Sequence, residues 1–150
     1  MGKLPQLLLS GLILVAMSAA AQAGPSTTFD NYEVYHSVIP STFIQPQVAE
    51  AHGLTRSRSI GLLNISVLER HTDDDTLPKG VDSHLEGYIT NNVQQRQRLS
   101  FKRVRDGDAI YYLAQFQYRD GELLTFNITA SPYGHSGDLP MRFSRELYVD

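Results

Sequence analysis

The residues best suited to chemistry lie in one polar stretch, His71-Thr72-Asp73-Asp74-Asp75, followed by Asp82 and His84. Carboxylates and imidazoles together suit Zn²⁺ or another divalent ion, so His71, Asp73, Asp75, Asp82 and His84 are the candidate metal set. Consecutive aspartates point in different directions, and no Asp-x-Asp-x-Asp-Gly loop is present, which excludes an EF-hand. The plainer reading of the stretch is a solvated acidic loop. His36, His52 and His135 are scattered. Met141 stands without a methionine-rich tract, which does not favour copper carriage.

A second cluster is basic. Arg96, Arg98 and Lys102 fall on one parity of an apparent strand, with Arg103 and Arg105 on the other. Such a stripe can meet a phosphate, an anionic lipid or an acidic partner. It can equally be a charged edge strand that blocks aggregation.

Two further patterns do not support catalysis. Gly134-His135-Ser136-Gly137-Asp138 departs from the Gly-x-Ser-x-Gly nucleophile elbow at its fifth place. The elbow needs a strand before and a helix after, whereas Pro132 and Pro140 flank this segment and a strand pattern follows. Adjacent His, Ser and Asp do not fold onto one another as a triad. Glu33, Glu69, Glu86, Glu122 and Glu146 are spread over separate segments, and no tryptophan marks a sugar groove. A glycosidase would need two carboxylates facing each other across a cleft.

The elements that position these residues are mostly strands. Short runs of alternating apolar and polar residues, bounded by Gly, Pro, Asp and Asn, recur along the chain. Seven are predicted: 32–39, 60–69, 83–91, 97–105, 109–118, 122–130 and 141–149. Asp106-Gly107-Asp108 and Asp120-Gly121 have tight-hairpin chemistry, so 97–130 is predicted to be a three-stranded meander. One helix of about two turns is predicted over Pro46–His52, with proline in its first turn and Gly53 as its stop.

Seven short strands in this length imply an immunoglobulin-like β-sandwich with one short helix. The segment Asp108 to Ala114 resembles the one that holds the tyrosine corner in immunoglobulin domains. That comparison makes Tyr111 the corner and puts Leu113 in the cysteine position. Strand parity argues the other way, with Tyr112, Ala114 and Phe116 as the better inward set. A lipocalin-like barrel would need eight long strands, which is tight here.

The N-terminus has three parts: a basic start at Lys3, an apolar run from Leu7 to Ala20, and the small-x-small site Ala21-Gln22-Ala23. This order is that of a secretory signal peptide, with cleavage expected after Ala23. The run is shorter than the ~20 residues needed to span a bilayer. Residues 1–23 are therefore read as a signal peptide and 24–150 as a single β-sandwich domain. Cysteine is absent, which excludes a lipoprotein anchor, disulfides and a thiolate metal site. Export without disulfides points to a periplasm. The whole chain carries 13 basic and 16 acidic residues, and losing Lys3 makes the remainder slightly more acidic. That balance does not favour nucleic acid as a partner.

The strand segments Phe43 to Pro46, Ser59 to Val67, Leu123 to Ile128 and Phe143 to Tyr148 resemble an exported proteobacterial family. It is the domain-of-unknown-function family numbered 4426. The resemblance runs over about 29–149 and implies export and an all-β domain, with no activity and no cofactor.

Together these readings predict a periplasmic, non-catalytic binding or accessory module with a protein partner. Its contacts would be made by sheet edges, by the loops Thr72–Val81 and Pro132–Leu139, or by Arg96, Arg98 and Lys102. A periplasmic divalent-metal-binding protein is the alternative, and a hydrolase the second alternative.

Overall fold

The computed structural model describes residues 25–71 and 77–149. Segment 1–23, expected to be a signal peptide, and the aspartates Asp73 and Asp75 lie outside them. Among the described residues, ten strands form two antiparallel sheets packed face to face. The first sheet runs in the order β1 (Ser26–Phe29), β2 (Tyr32–Pro40), β3 (Ile60–Glu69), β8 (Ala109–Gln117) and β7 (Lys102–Asp106). The two-residue β4 (Lys79–Gly80) adds to the end of β3. The second sheet runs β10 (Leu139–Leu147), β9 (Glu122–Pro132), β5 (Ser83–Thr90) and β6 (Arg96–Leu99). This is the predicted immunoglobulin-like β-sandwich.

Period-2 alternation sorts the residues as the sequence implies. Val34, Leu63, Ile65, Val67, Tyr112, Ala114 and Phe116 project from the first sheet into the core. Leu85, Ile89, Leu124, Phe126, Ile128 and Met141 meet them from the second. Gly61 shows how close this packing is. It pairs with Phe116, and a Cβ placed there would lie 2.4 Å from the Phe116 ring.

The outer face of the first sheet is buried too. Helix α1 (Pro46–His52) lays Val48 and Ala49, with Ile44, over Leu62, Val104, Tyr111 and Leu113. Burying such apolar side chains stabilises by about 1.5–3 kcal/mol each. Gly53 ends the helix in the left-handed conformation, at φ 64°. Tyr111 and Leu113 therefore belong to this outer cluster, and parity prevails over the tyrosine-corner resemblance. Tyr112 is the tyrosine that bridges the sheets, its hydroxyl accepting the Ser83 N–H at 2.7 Å.

Two expectations fail on the same ground, that the chain changes sheets. The predicted strand over 97–105 is two strands, β6 in the second sheet and β7 in the first. Leu99 and Phe101 both face the core across the corner, so the alternation continues where the pairing does not. The turn at Asp106–Asp108 does join a hairpin, β7 to β8. The turn at Asp120-Gly121 carries the chain from β8 across to β9 in the other sheet, so there is no three-stranded meander.

Candidate functional site

The acidic end of the sandwich is the one where β3 closes at Glu69 and β5 opens after Asp82. Tyr32 opens β2 opposite Glu69 at the close of β3, and its ring lies 4.8 Å from that of His135. Ser83 pairs with Pro132, and the Tyr133 N–H donates to the Asp82 carbonyl at 3.0 Å. The described flanks of the loops around 72–81 and 132–139 thus share one end of the molecule. Segment 134–138 is a hairpin loop between β9 and β10, with the Ser131 hydroxyl donating to Asp138 at 2.7 Å.

The described members of the candidate metal set have separate surroundings. His71 is exposed just past β3. Asp82 precedes β5 and is engaged by Arg103 from β7, at 2.5 Å. His84 lies on the outer face of the second sheet, 3.9 Å from the Glu86 carboxylate. Among the described residues no three of His, Asp and Glu come together.

One histidine that sequence reasoning passed over is placed distinctively. His36 is 4 % exposed, and its ring stacks on Phe143 at 3.8 Å. Phe143 stacks in turn on Phe126 at 4.9 Å. The Arg145 guanidinium lies 3.5 Å from His36 Nε2, and Nδ1 is buried without a hydrogen-bond partner. Burial, and then the neighbouring cation, lower its pKa to about 4. His36 is therefore a neutral core residue at ordinary pH.

The basic stripe is divided by the change of sheet. Lys102 lies on β7, and its ammonium donates to the His52 carbonyl at the end of α1. A cation there satisfies a helix-end acceptor and complements the helix dipole. Lys102 is therefore separated from Arg96 and Arg98, contrary to the single-strand reading.

Arg96 and Arg98 find other company on the outer face of the second sheet. Arg98 pairs with Tyr88, Tyr88 with Asn127, and Asn127 with Arg142, giving one row across β6, β5, β9 and β10. All four side chains project outward, opposite in parity to the buried Leu99, Ile89, Ile128 and Met141. Three inter-strand spacings put the two arginine Cα atoms roughly 14 Å apart. Arg96, one outward position along β6, lies over the Tyr88 ring at 3.9 Å. Arg98 and Arg142 make no ion pair or hydrogen bond among the described residues, and Arg96 makes only this ring contact. The face encloses a trough of about 630 Å³, with Glu86 also on its wall.

Sequence alternation would have put Arg142 outward, opposite Met141 and Phe143. The missing signal was the register of β9 and β10, which brings it level with Asn127.

Fold and surface thus define a β-sandwich domain with a cationic outer sheet face. The chain belongs to the family described as Domain of unknown function (DUF4426), whose profile matches residues 26–150. A crystal structure of a family member from Pseudomonas aeruginosa PAO1 is similar, at TM-score 0.73 and 31% identity, covering 86% of this chain and 98% of that one. FetP from uropathogenic Escherichia coli strain F11 has TM-score 0.60 at 11% identity, over 84% and 94% of the two chains. A copper-bound variant of Campylobacter jejuni P19 has TM-score 0.52 at 11% identity, over 83% and 94%. The last two likenesses show the fold alone. No curated protein sequence matches the chain.

Proposed function

We propose that this protein is an exported, non-catalytic binding module of the periplasm that holds an anionic ligand on the outer face of its four-stranded sheet. The observation that carries the reading is the row Arg98–Tyr88–Asn127–Arg142, with Arg96 beside it. Among the described residues these guanidiniums have no carboxylate partner, on a chain with an acidic excess. A planar guanidinium presents paired donors that match a carboxylate or phosphate. The tripartite N-terminus supports export.

The test is amide shift mapping during titration with inorganic phosphate. Shifts concentrated on β5, β6, β9 and β10 support the reading. Shifts confined to the acidic end, or none at all, overturn it.

A second reading, a divalent-cation protein, is favoured by copper-bound neighbours of the same fold. The described core does not fit one, because its buried imidazole, His36, faces Arg145. With Asp82 held by Arg103, a site at the acidic end rests on His71 together with Asp73 and Asp75. Zinc binding that persists unchanged in a His71→Ala/His84→Ala variant would sink the site at this end, and no zinc binding by the parent would sink the second reading itself.

A further inference from the structure

We infer that the ligand of the cationic face is an elongated, acidic oligosaccharide, with anionic groups set apart along a hydroxyl-bearing backbone. The inference rests on the anion-binding reading above and names the class of ligand.

The first ground is the middle of the row. Between the arginines stand the Tyr88 hydroxyl, the Asn127 amide and, one outward position along β9, the Thr129 hydroxyl. None of these polar groups has a hydrogen-bond partner within the described chain. They offer donors and acceptors suited to sugar hydroxyls. Glu86 faces the same trough, and a ligand with charge at every unit, such as polyphosphate or nucleic acid, would set an anion against it. A ligand with charges at intervals avoids that repulsion.

The second ground is continuity. Arg96 lies on the wall of the trough and also on that of a second cavity, of about 810 Å³. This second cavity opens between the two sheets, with Asn91, Gln95, Gln117, Arg119 and Glu122 around it. Gln97 closes its inner side, its amide bridging to the Gln117 N–H at 2.8 Å and carbonyl at 3.1 Å. The Gln117 amide and the Arg119 guanidinium line this amide-rich space without side-chain partners of their own among the described residues. A chain lying from Arg142 across to Arg98 and over Arg96 continues into it.

The probe is a hexamer in which glucuronic acid alternates with N-acetylglucosamine, titrated into protein purified from cells expressing the full chain. The comparison ligands are monomeric glucuronate, a neutral maltohexaose, inorganic phosphate and phosphatidylglycerol vesicles. The expected result is hexamer affinity roughly tenfold or more above the monomer, with no maltohexaose binding. Arg142→Glu and Arg119→Glu should each weaken the hexamer several-fold. Phosphate binding as tight as hexamer binding, or binding to vesicles with none to the hexamer, would overturn the oligosaccharide while leaving an anion site. Failure of every anion to bind would remove both readings.

Discussion

The guanidinium of Arg96 lies over the Tyr88 ring, 3.9 Å from its centre, on a sheet face where Arg98 pairs with the same tyrosine and Arg142 stands two strands beyond it. The ring holds one cation in place while leaving its donor edge free. An exposed contact of this kind is worth about 0.5–1 kcal/mol. Tyr88→Ala is expected to weaken phosphate binding by roughly two- to fivefold, and Tyr88→Phe to restore it. Equal losses in both variants would show that the hydroxyl, and not the ring, is what matters.

Burial beside Arg145 makes His36 a source of acid sensitivity. Its pKa is lowered from the ordinary 6.5 to about 4 in the folded chain, so the unfolded chain takes up the proton first. Stability from this group is therefore complete above pH 6.5 and is lost as pH falls towards 4. The loss is of order 2–3 kcal/mol. Urea unfolding at pH 7 and pH 4.5 measures it. His36→Phe should flatten the difference, and a slope unchanged in that variant would assign the sensitivity to other groups.

Gly61 has no space for a side chain. A Cβ there would meet three atoms of the Phe116 ring within 3.0 Å, and that ring is fully enclosed by the core. Gly61→Ala should destabilise by about 1–3 kcal/mol. Adding Phe116→Leu should cost less in the alanine background than in the parent, a coupling read from a double-mutant cycle.

Lys102 separates the structural from the binding role of the basic residues. Its contact is with the His52 carbonyl, not with the trough. Lys102→Met should lower the Tm by about 2–4 °C through loss of the helix-end contact. Phosphate affinity should not change. A drop in affinity matching that of Arg98→Glu would return Lys102 to the site.

What the sequence made legible follows from which interactions are local. The inward faces of β9 and β10 were readable because a half-buried strand must alternate, and those of β3 and β8, buried on both faces, because Asn64, Ser66 and Gln115 still stand between their core residues. Helix α1 was readable from Pro46 and Gly53. The corner at Ser100-Phe101 was not, since Leu99 and Phe101 keep their parity through it. The two-residue β4 and the short edge β1 carry too few residues to show a period. The site was half legible for the same reason. Arg96 and Arg98 are neighbours in sequence, whereas Arg142 joins them only through the pairings of β5 with β9 and of β9 with β10.

The most direct test of the cationic face is the phosphate affinity of an Arg98→Glu/Arg142→Glu double variant beside the parent, with thermal melting as the check on folding. Charge-assisted hydrogen bonds of about 1.5–3 kcal/mol should be lost from two exposed side chains that make no ion pair or hydrogen bond among the described residues. The account therefore expects affinity to fall at least tenfold with the melting temperature nearly unchanged. Parent-like affinity in the folded double variant would contradict it.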